Sequence, residues 1–206
     1  VVIITSDKVY ENVEKKTGYK ETDLLGGSDP YSASKSAAEI AIKSYFKSFL
    51  IKKSNISLVI ARAGNVIGGG DWSENRLIPD CIKAWSKNKS VNIRNPNATR
   101  PWQHVLEATM GYVILGASLK FNKKINGEAF NFGPRTNKNF KVIECVKQMK
   151  KYWPTIKWKF KKTKNFYESS LLKLNSKKAY KILGWKGVLS FNETIKMTTL
   201  WYKNYY

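Results

Sequence analysis

The chain opens on an unbroken apolar run, Val1-Val2-Ile3-Ile4-Thr5. β-Branched residues with no polar alternation predict a strand of a parallel sheet, covered on both faces. Residues 6–30 are polar and end in Asp29-Pro30, a turn signal, which predicts a loop. From 32 to 51 the period changes. Ala33, Ala37, Ala38, Ala41, Tyr45 and Phe49 recur at three- and four-residue spacing, which predicts one helix with those residues as its apolar face. Ser57-Leu58-Val59-Ile60-Ala61 reads as a second buried strand, and Gly64 to Trp72 as a glycine-rich loop.

Downstream, the pattern predicts helices over 75–87, 103–119, 140–151, 175–183 and 191–204. It predicts strands over 91–94 and 129–132, the latter closed by Gly133-Pro134, and around Trp158. Strands alternating with helices predict an α/β fold with a mostly parallel sheet. A domain seldom begins on its most buried strand, and no Met precedes Val1, so a front portion of the protein is expected upstream.

Composition narrows the function. No run reaches the ~18 apolar residues of a membrane helix, and no basic-then-apolar secretion signal opens the chain. Cys81 and Cys145 give neither a disulfide framework nor metal-ligand spacing, which fits a reducing cytoplasm. His104 is the only histidine, so a multi-histidine metal site is excluded and no metal is expected.

The net charge of +22 is uneven, +6 over residues 1–100 and +16 over 101–206. A basic excess can mark a nucleic-acid surface. Here 32 of the 37 basic residues are Lys, whereas base readout and bidentate phosphate clamping favour Arg. The lysines are also scattered through helical patterns. Both facts assign the excess to a solvated surface, with nucleic-acid binding as the lesser alternative. Attraction to an anionic diphosphate substrate fits either reading.

Two segments carry candidate chemistry. Tyr31-Ser32-Ala33-Ser34-Lys35 stands at the predicted start of a helix, where residues four apart share a face. A phenol acting as a base near neutral pH must lose a proton, and a neighbouring ammonium favours that. With 11 Tyr and 32 Lys, chance predicts about two Tyr-x-x-x-Lys matches, so the pattern alone decides nothing. Its flanks decide. The first strand runs into Thr5-Ser6-Asp7-Lys8, and ligands of open α/β sheets bind beyond the carboxyl ends of strands. A hydroxyl, an acid and a base at one strand tip suit proton transfer. Tyr10, just beyond, has no comparable role.

These segments, with Arg62-Ala63-Gly64-Asn65-Val66-Ile67-Gly68, resemble the extended short-chain dehydrogenase/reductase family over nearly the whole chain. Finer resemblance is to its CDP-glucose 4,6-dehydratases. It rests on Leu25 to Tyr31, Ala63 to Trp72, Arg76-Leu77-Ile78-Pro79-Asp80, and above all Ile93 to Val105 with Arg100-Pro101-Trp102-Gln103-His104. The resemblance implies the C-terminal part of a Rossmann-type doubly wound parallel sheet with a smaller, mostly helical substrate-binding domain. Residues 1–70 and 103–133 would belong to the NAD-binding part, and 71–102 and 134–206 to the sugar-nucleotide part.

The same resemblance implies residue roles. Tyr31 would take the proton of the glucose 4-hydroxyl, Ser6 would bond that oxygen, and Lys35 would hold the nicotinamide ribose. Asp7 would be the acid for the leaving 6-hydroxyl and Lys8 the base at C5. Relatives acting on dTDP-glucose have Glu where Lys8 stands, and Asp-Lys also occurs in UDP-N-acetylglucosamine dehydratases, so the pair argues for dehydration more than for one nucleotide. NAD would contact Tyr31, Lys35, Ala63 and Asn65; the sugar nucleotide would contact Asn65, Arg76, Leu77, Arg94, Arg100 and Glu168. The glycine fingerprint for NAD does not occur in these 206 residues. A homodimer through the helix beginning near Ser32 is implied, as is a place in deoxysugar, for example lipopolysaccharide, synthesis. His104, Trp72, Trp102 and Trp201 read as structural, and Gly68-Gly69-Gly70 lacks the Lys-Ser/Thr of a phosphate loop. Another sugar-nucleotide dehydratase or a 4-epimerase is the enzymatic alternative.

Overall fold

A computed structural model describes residues 1–51, 55–135, 138–160 and 171–206. Strand β1 (Val2–Ile4) pairs in parallel with β2 (Val59–Ala63), Val2 opposite Val59, and β2 pairs in parallel with β7 (Ala129–Phe132), Ile60 opposite Ala129. The two crossovers carry helices α1 (Pro30–Tyr45) and α3 (Val105–Phe121). They pack on opposite faces of this sheet. Ala108, Leu115 and Leu119 of α3 meet Val59, Ala61 and Ala63. Ile42 of α1 and Phe46 beyond it meet Leu58 and Ile60. Strand alternation sorts β2 between the two helices, because successive side chains point to opposite faces.

The second hydrophobic cluster joins elements from both sides of α3 in the sequence. Helix α2 (Leu77–Trp85), β4 (Ser90–Ile93), α4 (Val142–Lys150) and α6 (Phe191–Tyr205) bury Ile78, Ile82, Ile93, Cys145, Met149 and Ile195 together. β4 pairs in parallel with β9 (Lys157–Phe160). The loop after β2 holds β3 (Val66–Ile67), paired in parallel with β6 (Gln103–His104), and β5 (Thr99–Arg100) pairs antiparallel with β8 (Phe140–Lys141). Helix α5 (Lys177–Leu183) packs Ala179 against the sheet side instead.

Three sequence expectations change. The opening strand is an edge strand among the described residues, with Ile4 56% exposed, because only β2 pairs with it. The long helix is α up to Tyr45, and a π turn spans Phe46–Leu50. Its orientation is also reversed. Ala33, Ala37, Ala38, Ala41, Tyr45 and Phe49 all face solvent, whereas Ser32, Ser36 and Glu39 are buried. Polar partners on the sheet side, described below, outweigh the apolar stripe.

His104 caps α3, its Nδ1 accepting from the Leu106 amide, and burial holds its pKa low. Trp102 is buried, and Trp72 packs on Trp201, Tyr202 and Tyr205. No helix among the described residues is long and apolar enough to cross a membrane.

Candidate functional site

Helix α1 starts where its sequence dictates. The Asp29 side chain caps it, accepting from the Ser32 amide at 3.0 Å and the Ser32 hydroxyl at 2.6 Å, and Pro30 fills the first helical position. The Ser32 bonds hold the Asp29 carboxyl below its ordinary pKa. This cap places Tyr31 in the first turn and Lys35 one turn on, its ammonium 5.6 Å from the Tyr31 ring centroid. The preceding loop lies close against the helix. A β-carbon at Gly27 would fall 2.4 Å from the Ala33 amide nitrogen, so no larger residue fits this approach.

At the tip of β1 the chain turns through a short 3-10 segment, Asp7–Val9. Ser6 Oγ caps it, accepting from the Lys8 amide at 3.2 Å, and donates its proton to Asp7 Oδ1 at 3.0 Å. Asp7 is 3% exposed, and its second oxygen, Oδ2, has no hydrogen-bond partner among the described residues. Burial raises its pKa to about 6, against the lowering pull of Lys8, the Ser6 hydroxyl and Arg100. A carboxyl poised near neutrality can give a proton and take it back.

One pocket of about 220 Å³ has Asp7, Lys8 and Tyr31 in its wall, with Asn12, Asp29 and Leu172. Arg100 is buried, donates to the Thr99 carbonyl at 2.8 Å, and its charge reaches Asp7. Ala63 is buried at the end of β2, and Asn65, half-buried, accepts the Gln103 amide on its carbonyl. The remaining candidates are not gathered here. Arg76 is exposed and pairs with Asp71 at 3.1 Å; Arg94 is exposed with its charge acting on Asp80; Leu77 packs beside the second cluster. Glu168 lies outside the described residues.

The sequence reading missed a polar network under α1. Arg62, fully buried, donates through Nε to Glu39 Oε2 at 2.9 Å and pairs through Nη2 with Glu39 Oε1. Its Nη1 donates to the Tyr10 hydroxyl at 2.6 Å, which in turn donates to Asn131 Oδ1 at 2.7 Å. Thr5 Oγ1 donates to Glu39 Oε2 at 3.1 Å, and Ser36 Oγ to the Val9 carbonyl. Burial alone would raise the Glu39 carboxyl, but the bonds and charge of Arg62, with Lys43 and Thr5, hold it below its ordinary pKa. Spacing carried only part of this signal. Glu39 follows Tyr31 and Lys35 at the same interval of four, and Arg62 continues the Leu58-Ile60 face of β2.

The Lys35 ammonium has no carboxylate partner among the described residues, and it stands beside the half-exposed Tyr31 phenol at the carboxyl end of the sheet. No cluster of three His, Cys, Asp or Glu suited to a metal occurs among the described residues.

A family model described as GDP-mannose 4,6 dehydratase matches residues 1–198. CDP-glucose 4,6-dehydratase of Salmonella typhimurium is 40% identical over 209 residues, covering 98% of this chain and 58% of that protein. The dTDP-D-glucose 4,6-dehydratase of Homo sapiens is 25% identical, covering 98% of this chain and 56% of that protein. The chain therefore spans a little over half the length of these curated relatives. Among solved structures, dTDP-glucose 4,6-dehydratase of Bacillus anthracis in complex with NAD superposes with a TM-score of 0.79 at 21% identity, over 98% of this chain and 61% of that one. UDP-glucuronic acid 4-epimerase of Bacillus cereus, in complex with UDP-glucuronic acid and NAD, gives 0.83 at 22%, over 100% and 62%. These two likenesses show the Rossmann-like fold.

Proposed function

The chain belongs to the GDP-mannose 4,6 dehydratase family, and on that premise we propose that it serves the NAD-dependent dehydration of CDP-glucose to CDP-4-keto-6-deoxyglucose. The observation that carries the reading is the pocket wall shared by Asp7, Lys8 and Tyr31, with a buried carboxyl near pKa 6. Tyr31 takes the proton of the sugar 4-hydroxyl. Lys8 removes the C5 proton, acidified by the 4-keto group, and Asp7 gives its proton to the departing 6-hydroxyl, so that one water leaves. Ser6, whose hydroxyl donates to Asp7 at 3.0 Å without substrate, would turn that proton to the sugar 4-oxygen.

Tyr31 and Lys35 would hold the nicotinamide ribose, with Ala63 and Asn65 beside it. The chemistry supplied by NAD held there would be hydride uptake from C4 and hydride return to C6, with Lys8 giving the proton back to C5. Arg100, buried beside Asp7, is proposed for the diphosphate; Asn65, Arg76, Leu77, Arg94 and Glu168 are proposed for the rest of the sugar nucleotide. Identity favours the cytidine nucleotide, 40% to the Salmonella enzyme against 25% to the human dTDP-glucose enzyme.

We also assign residues 1–70 and 103–133 to the cofactor side and 71–102 and 134–206 to the substrate side. A cytoplasmic homodimer through α1 and a role in deoxysugar synthesis complete the reading. The exposed stripe from Ala33 to Phe49 supports the dimer.

The test is product mass. The full-length protein is incubated with NAD+ and CDP-, dTDP- or UDP-glucose. Loss of one water from the CDP sugar alone supports the proposal. Unchanged mass with inversion at C4 would make the protein an epimerase.

A further inference from the structure

Every element that carries a proposed catalytic residue is tied to one buried polar network. Helix α1 contributes Glu39, two turns beyond Tyr31 and one beyond Lys35. The strand tip contributes Thr5, the neighbour of Ser6, whose hydroxyl donates to Glu39. Strand β2 contributes Arg62, three residues before Asn65. The segment after Lys8 contributes Tyr10, which receives the Arg62 proton and passes its own to Asn131 on β7. Glu39, Arg62 and Tyr10 are each 1% exposed or less, so solvent cannot replace any of these bonds.

We propose that Glu39, Arg62 and Tyr10 are positioning residues, which set how deep and at what rotation α1 seats on the sheet and thereby hold Tyr31 against Ser6, Asp7 and Lys8. The inference rests on the catalytic reading above for its consequence, and on geometry for its content. The helix needs such a device. Its sheet-facing side is polar at Ser32, Ser36 and Glu39, so apolar packing fixes it only from Ile42 onward. The N-terminal turns, where Tyr31 stands, are located by hydrogen bonds. Hydrogen bonds are directional where apolar contact is not, and a displacement of about 1 Å at a reacting group can cost on the order of a hundredfold in rate.

The role separates from mere stabilisation because a buried ion pair can be exchanged for apolar residues with little or no loss of stability. The decisive variant carries Glu39→Leu with Arg62→Met in the full-length protein. It is compared with wild type and with Glu39→Leu alone. We expect the double variant to regain the melting temperature lost in the single one. Its kcat stays at least about tenfold below wild type, and KM for CDP-glucose stays within about twofold. With substrate deuterated at C4, the isotope effect on kcat rises above that of wild type, as proton and hydride removal become limiting.

Tyr10→Phe keeps the ion pair and removes one hydroxyl; it serves if the double variant does not fold, and the same kinetic pattern is expected. Return of kcat together with stability in the double variant, or wild-type kcat in Tyr10→Phe, overturns the proposal. A readout free of turnover accompanies them. With fluorotyrosine incorporated, the ¹⁹F signal of residue 31, identified by its loss in Tyr31→Phe, shifts in both variants without any ligand; an unmoved signal overturns the proposal. If wild type fails to dehydrate any sugar nucleotide while that signal still shifts, the catalytic reading fails and the positioning stands.

Discussion

The unpartnered oxygen of Asp7 faces Gly64: a β-carbon on that glycine would stand 3.2 Å from Asp7 Oδ2 and 2.9 Å from Pro101 Cγ. Gly64→Ala therefore caps the free oxygen with a methyl group. Because the acid role needs the protonated carboxyl, kcat/KM falls as pH rises through the Asp7 pKa. The methyl group packs against a buried oxygen and lowers the polarity around it, which penalises the charged form further, so the alkaline limb moves to higher pH in Gly64→Ala, while kcat/KM drops at least about tenfold. A pH–rate profile with its alkaline limb unmoved would detach that limb from Asp7.

Asp7 also sets a stability term of defined sign. Its folded pKa, about 6, lies above the ordinary 3.8, so the folded chain holds the proton more tightly. The contribution is fully present below about pH 4 and is lost as pH rises through 6. Asp7→Asn removes the cost of ionising the buried group. At pH 7.5 the variant should be more stable by up to roughly 3 kcal/mol, and the advantage should vanish toward pH 4. Chemical denaturation at the two pH values measures it, and dehydration activity should be lost in the same variant.

The exposed stripe on α1 predicts an oligomer-breaking change. Ala41→Glu places a charge in the centre of the face that includes Ala37, Tyr45 and Phe49. Sedimentation should show dimer giving way to monomer with the circular dichroism spectrum unchanged. A wild-type protein that sediments as a monomer would remove the basis of the homodimer assignment.

Gly69→Ala tests the aromatic cluster at the C-terminal end of α6. Its β-carbon would fall 2.0 Å from Trp201 Cδ2, a ring stacked on Tyr205 and close to Trp72. Displacing the ring should cost about 1–3 kcal/mol. Urea denaturation followed by tryptophan fluorescence reads both the loss and the changed environment of the ring.

Much of this was legible in the sequence. Strand and helix order followed from apolar period, and the start of the helix expected at 32 lies within two residues of that of α1 at Pro30. Ser6, Asp7 and Lys8 came from chemistry at a strand end and Tyr31 from its spacing to Lys35 at a helix start, and Asp7, Lys8 and Tyr31 line one pocket. The facing of α1 was not legible, because periodicity detects apolar residues and assumes that they turn inward. Here the inward groups are a glutamate and two serines, and the partners of Glu39 and Ser36, namely Arg62, Thr5 and the Val9 carbonyl, lie 23 to 34 residues away along the chain. The approach of Gly64 to Asp7 Oδ2 likewise joins residues far apart along the chain. Arg76 and Arg94, chosen from motif context, are exposed in this chain.

Arg62 also answers a question about misfolding. β2 is fully buried on both faces and consists of Val59, Ile60, Ala61, Arg62 and Ala63, all small or aliphatic apart from the arginine. An aliphatic strand of this kind could slip by one residue against β1 and β7 and still satisfy its backbone bonds. The slip would turn Arg62 toward Ala108, Leu115 and Leu119 and away from Glu39, its carboxylate partner. An unpaired charge in that place is prohibitive. The arginine thus acts as an index mark on an otherwise featureless strand: of the two frames available to β2, it leaves only one in which the chain can close.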